Sequence, residues 1–382
     1  MNHRLLPVAA IALLLLGCNP DKEKENTPEL TIPTTYHFER GGSSSVSYQG
    51  QKDRLNMLSE IKSYLKTGDK GKELSSQHLL DMFANANSPF ESADLNVSSK
   101  KLENKTNPAE VEFNKSLFTE AAAVSKEVAE NGTMADEGVA GSIQRGTSEK
   151  FINVNEKGWE FTQFIEKGLM GSVFYHQIFN VYLSDARTGD DVDNETIEEG
   201  KNHTPMEHHW DEAFGYWGVP VDFPNGDPVL TDDQERFWAK YTLGRNELLN
   251  VSEPLMKAYI TGRAAIVAKD YPTKNAQKEV IIDFHELVTA ATAVHYINKS
   301  MNNFSSGDTG SMFHTLSEGY NFVKAIQYSP RKKITQADIN EILNEDFGTD
   351  GDFWTVTMEG LREAKNKLTT AYPELKEVED EL

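Results

Sequence analysis

From residue 52 onward, apolar side chains recur every three to four positions, the period of a helix with one buried face. The pattern predicts helices near 52–66, 76–86, 110–130, 159–184, 205–217, 232–248, 252–269, 276–299, 310–327, 335–344 and 352–368. In 159–184 a wide apolar face forms from Phe161, Phe164, Ile165, Leu169, Val173 and Phe174, and Gly168 and Gly171 leave room for a neighbouring helix. Polar loops such as "SDARTGDDVDNETIEEGKNH" and "FPNGDP" separate the periodic stretches. Before them, "YHFERGGSSSVSYQGQ" alternates weakly and reads as a short β or irregular piece. No solenoid repeat appears. The expected fold is all-α, a helical bundle assembly over residues 36–382, with a candidate division into two packed bundles near 185–203.

One helix concentrates the candidate chemistry. In "TPMEHHWDEAFGYWGVP", Thr204 at the N-cap, Pro205 at N1 and Glu207 at N3 form a start signal, and Gly218 followed by Pro220 forms a stop. At 100° per residue Met206, Trp210, Ala213 and Trp217 share a core stripe with Phe214 at its edge. Glu207 and Asp211 lie on one flank; His208, His209, Glu212 and Tyr216 lie on the other. Glu212 stands four residues after His208 and three after His209, so one carboxylate meets either imidazole. Such a pair can bind a divalent metal, Fe or Zn, or serve as a hydrogen-bonded helix surface. His314 and Glu318 in "MFHTLSEGYNFVKAI" repeat the spacing. His295 falls in line with Ile281, Phe284, Val288 and Ala291 and is expected to point into the core, as structural histidine or ligand. His176, below Leu169 and Val173, has the same two readings.

Several enzyme signatures fail. "HELVT" has Thr289 where a zincin needs its second histidine, and "DFG" at 346–348 stands without a kinase's glycine-rich or catalytic loop. The acidic loop at 190–199 lacks a calcium hand's glycine and terminal glutamate, and no P-loop or dinucleotide fingerprint is present. No catalytic residue is assigned, and the balance of the reading is non-enzymatic.

The N-terminus sets the compartment. "MNHRLLPVAAIALLLLGC" has a basic start, a short apolar run and a cysteine, the form of a signal peptide over residues 1–18. Its "LLGC" ending resembles a lipobox, and Cys18, the sole cysteine among 382 residues, is the expected lipidation site. Residues 19–35 read as a solvated tether. No other apolar run is long enough to span a bilayer. Acidic residues outnumber basic ones 60 to 38, a formal charge of −22, which excludes nucleic acid as a main partner.

The stretches "SVSYQGQKDRLNMLSEI", "KGLMGSVFYHQ", "TPMEHHWDEAFGYWGVP", "GRAAI", "AVHYIN" and "FHTLSEGYNFVKAI" resemble bacterial envelope lipoproteins that carry domain of unknown function 4856, over nearly all of the chain after the tether. A looser resemblance is to the imelysin proteins, helical-bundle envelope proteins with a Gly-x-His-x-x-Glu signature. Here His209 and Glu212 match it, whereas Glu207 replaces the glycine and Trp217 falls one residue late. That resemblance implies either iron uptake or a metal-dependent peptidase. The resulting expectation is an outer-membrane-anchored lipoprotein that binds a metal ion or metal-containing ligand in iron acquisition. His209 and Glu212 would be its first ligands, with His208, His314, Glu318 or His295 completing the set. The alternatives are an imelysin-like peptidase and a non-catalytic partner module of an outer-membrane receptor.

Overall fold

Thirteen α-helices and two short antiparallel hairpins make up the regular structure among the described residues. The computed structural model describes residues 29–224 and 236–382. The expected signal peptide with Cys18, most of the tether and the first residues of the helix expected at 232–248 lie outside the described residues.

The expected N-terminal piece is a hairpin, β1 (Glu39–Arg40) paired with β2 (Ser43–Ser44), Glu39 opposite Ser44. It leads into α1 (Gln49–Gly68), α2 (Ser76–Ala84), α3 (Ala93–Val97) and α4 (Val111–Asn131). Next comes a hairpin absent from the sequence expectation, β3 (Gly141–Gln144) against β4 (Phe151–Val154), with Ile143 opposite Ile152. Four-residue strands are too short to leave a period that stands out from loop sequence.

The single helix expected over 159–184 is α5 (Phe161–Leu169) followed by two wider π turns, Met170–Tyr175 and Gln177–Tyr182. There the Leu183 N–H donates to the Ile178 carbonyl five residues back, at 2.9 Å. This segment is buried on almost every side, so its apolar pattern carries no phase from which the slip could be read. The short α6 (Asp185–Thr188) and α7 (Pro205–Trp217) follow, then α8 (Trp238–Leu249) and α9 (Ser252–Ala268). Residues between α6 and α7 are tied to later helices: Asn194 donates to the Ile266 carbonyl, and Lys274 to the Thr188 carbonyl and Asp190.

The longest helix is α10 (Tyr271–Ser306), capped by the Asp270 side chain and ended by Gly307 in the left-handed region. By length and composition it could cross a membrane, but 67% of its apolar window is buried inside the protein. Its antiparallel partner α11 (Thr309–Ile326) follows after two residues and is capped by Asp308. At their contact Ser300 and Thr315 hydroxyls lie 2.8 Å apart. α5 and its π continuation lie on α11, where a Cβ on Gly168 or Gly171 would meet Asn321 or Ala325 at 3.2 and 3.1 Å, as the sequence expectation of a close helix requires. The chain closes with α12 (Gln336–Glu341) and α13 (Met358–Ala371). One apolar cluster, from Tyr36 to Leu382, forms the core.

The tightest approach is between α7 and α9. A Cβ on Gly262 would stand 2.1 Å from Cζ2 of Trp210, whose ring is fully buried and donates to the Tyr259 carbonyl at 3.0 Å. Gly262→Ala should therefore lower stability by about 1–3 kcal/mol, the cost of overpacking a filled core. Urea unfolding measures it, and an unchanged midpoint would mean the two helices separate freely.

Candidate functional site

The α7 helix begins as its sequence predicts. The Glu207 N–H donates to Thr204 Oγ1 at 3.3 Å and Thr204 N–H to Glu207 Oε2 at 2.8 Å, a capping box; Gly218 ends the helix at φ 83°. Met206, Trp210, Ala213, Phe214 and Trp217 are all fully buried, the expected core stripe.

The flank of Glu207 and Asp211 is also buried, which the sequence reading did not anticipate. Arg263 of α9, fully buried, donates from Nη1 to Glu207 at 3.0 Å and from Nε to Asp211 at 2.9 Å. Arg40 forks onto both Glu207 oxygens at 2.9 and 2.8 Å, and Tyr36 and the Ser47 N–H donate to Asp211 at 2.7 and 3.0 Å. Burial pushes the Glu207 carboxyl up, but Arg263 and Arg40 outweigh it and hold it below its usual value.

The opposite flank carries the expected metal ligands. His209 Nε2 faces the Arg187 guanidinium at 3.4 Å; that group can only donate, so His209 accepts there and presents its Nδ1 proton to Glu212, 3.3 Å away. Both ring nitrogens of His209 are therefore committed. His208 Nδ1 donates to the Ser47 carbonyl at 3.0 Å, and its Nε2 stands 3.8 Å from Glu212 Oε2 with no hydrogen bond among the described residues. Gln51 holds the other Glu212 oxygen at 2.9 Å. His203, which stacks on His208 at 4.4 Å between ring centres, is 3.2 Å from Glu198.

His314 and Glu318 lie elsewhere. His314 Nδ1 bonds to the buried Glu160 on one side, and its Nε2 is 3.7 Å from Glu318. The cation nearest to Glu318 on its other side is Lys167, at 3.5 Å. Lys167 also pairs with Glu166 at 2.6 Å, and Glu166 with Lys62 at 2.7 Å. Burial would lower the Lys167 amine, but Glu166 and Glu318 reverse that and raise it. Burial likewise works against Glu166, yet Lys167 and Lys62 pull its carboxyl down to about 2. A lysine thus occupies the charge-balancing position that the sequence reading left open for a metal.

His295 is half-buried and faces Arg245 and Lys299, apart from both groups; burial and these two cations lower it to about 3. The fully buried histidine of α10 is His285, bonded to the Tyr259 hydroxyl at 3.1 Å. The central part of α10 is enclosed by α8, α9, α11 and α13, so an apolar stripe does not single out which histidine points inward. His176 is half-buried, with Nδ1 3.4 Å from the Asn107 amide. No group of three or more His, Cys, Asp or Glu able to hold a metal occurs among the described residues.

A cleft of about 1050 Å³ opens over the Glu166–Lys167–Glu318 row. Seven cations line it: Lys62 and Lys66 from α1, Arg145 at the turn after β3, Lys167 of α5, Arg236, Lys240 of α8 and Lys299 of α10. Among the described residues the carboxylates lining it are Glu166 and Glu318. Sequence reasoning missed this cleft because its residues come from six separate stretches. The one local signal was Glu166-Lys167 set inside an otherwise apolar helix.

Fold and site together define a mostly helical protein with a polar, cation-lined cleft. The chain belongs to the family described as domain of unknown function DUF4856, whose profile matches residues 33–373. No curated protein and no solved structure matches it.

The hydrogen bonding on α7 makes His208, not His209, the histidine open to a metal. In a zinc titration followed by calorimetry, His208→Ala should remove any binding at this face, while His209→Ala, which loses only a hydrogen bond to the shared ligand Glu212, should weaken it by about tenfold. The reverse order would contradict the tautomers assigned here.

Proposed function

We propose that the protein is an envelope-anchored, non-catalytic binding protein whose ligand is a small, multiply charged anion held in the cleft. Charge placement supports this reading: in a chain with formal charge −22, the described residues around one cavity include Lys66, Arg145 and Lys299 beside the ion-paired Lys62, Glu166, Lys167 and Glu318. Cations gathered around one cavity raise the local concentration of an anion and hold it at several points. The cavity is of the size that binds small molecules. The same field repels a bare metal ion, so a role in iron acquisition takes the form of an anionic metal complex. Supporting binding over hydrolysis, Glu212, the carboxylate that would have to serve as general base in the peptidase alternative, is engaged by Gln51 and His209.

Calorimetry with citrate and ferric citrate tests this reading. Both should bind, and Lys66→Glu combined with Lys299→Glu should weaken each by about tenfold or more, the size of a lost charged hydrogen bond. Binding should also fall with added salt. Binding of neither ligand nor of any other polycarboxylate, or affinity unchanged by the charge reversal, would refute the proposal.

Membrane attachment rests on the lipobox-like Leu15-Leu16-Gly17-Cys18. Labelled palmitate should enter the wild-type protein and not Cys18→Ser, which should leave the membrane fraction; equal labelling of both would rule out Cys18 as the anchor. Transfer of the ligand to an outer-membrane receptor completes the proposed role.

A further inference from the structure

We infer that the cleft is built for a hydroxylated polycarboxylate, with a hydroxyl turned toward Glu318 and carboxylates turned toward the surrounding cations. This rests on the anion-binding reading above and names the ligand class. Glu318 is 7% exposed, yet forms no hydrogen bond among the described residues; its nearest cations, Lys167 and His314, are 3.5 and 3.7 Å away. Its carboxylate is held only by these two longer ion pairs, so it has acceptor capacity left for a hydrogen bond from a ligand. Gln163, also 7% exposed and lining the same cavity, has a buried Oε1 without a partner. The lining therefore combines two acceptors, Glu318 and Gln163, with cationic side chains.

Those two features narrow the donor. An ammonium would meet Lys66, Arg145 and Lys299 of the lining, and a ligand carboxylate placed at Glu318 would meet a like charge. A neutral hydroxyl satisfies these acceptors and leaves the ligand's carboxylates to the cations. Ser59, Ser63, Ser311 and Thr315 also line the cavity, and their hydroxyls both give and accept hydrogen bonds, as a ligand's hydroxyls do. The same chemistry comes from two sources: a free hydroxycarboxylate, with or without chelated iron, or a sugar acid of an acidic glycan.

Citrate and tricarballylate differ by one hydroxyl and carry the same three carboxylates, so the pair isolates the inference. Calorimetry on the protein should show citrate about tenfold tighter than tricarballylate, the worth of one well-made hydrogen bond to a charged acceptor. In Glu318→Gln, checked for native helicity by circular dichroism, the ratio should shrink to about threefold or less, since a neutral acceptor is weaker. Digalacturonate tests the source: binding tighter than citrate assigns a glycan, and weaker binding a free hydroxycarboxylate. Equal affinity for citrate and tricarballylate would overturn the hydroxyl inference and leave the anion reading standing. A ratio unchanged in Glu318→Gln would overturn the assignment to Glu318. Binding of none of the three would overturn the anion reading with it.

Discussion

Arg263 between Glu207 and Asp211 is the interaction on which the arrangement of the candidate chemistry depends. A fully buried guanidinium is costly to desolvate, and it persists because two carboxylates one helical turn apart on α7 meet it from the same side. Arg40, Tyr36 and the Ser47 backbone fill the remaining acceptor positions, so the β1–β2 hairpin is pinned to α7 and α9 together. Removing one partner would leave an unbalanced charge in the core, which is far more destabilising than never having built the pair. This network sets the rotation of α7. With Glu207 and Asp211 turned to Arg263 and the tryptophans turned to the core, His208, His209 and Glu212 are left on the remaining side.

A second ionic row does for the cleft what Arg263 does for α7. Lys62, Glu166, Lys167 and Glu318 alternate in sign from α1 through α5 to α11, so each buried charge is flanked by its opposite. Burial alone would neutralise these groups; their mutual attraction keeps Glu166 ionised and Lys167 protonated. The row ends at Glu318, where the pairing distances lengthen and the carboxylate opens to the cavity. A site already charged and already ordered loses little freedom when a ligand enters.

How far the sequence could be read depended on whether a feature is local. The capping box of Thr204 and Glu207, the Gly218 stop and the buried stripe from Met206 to Trp217 follow from neighbours within one helix and were legible in full. The close approach at Gly168 and Gly171 was legible for the same reason. The β3–β4 hairpin was too short to show a period, and the π turns after Leu169 lie where nearly every side chain is buried. The choice between His285 and His295 turned on how many helices surround α10, which no single-helix pattern contains.

By itself the sequence determined that the chain is helical, where most of its helices begin and end, which face of α7 is apolar, and that histidines and carboxylates share its other flanks. These are consequences of the 3.6-residue period and of capping, both of which act over a few neighbouring residues. Tertiary structure decided which charges meet. Arg263 reaches Glu207 across 56 positions and Lys62 reaches Glu166 across 104. It also decided that His314 and Glu318 belong with Lys167 rather than with α7, and that seven scattered cations face one cavity. Electrostatic interaction depends on distance through space and on burial, and both come into being only when the helices pack.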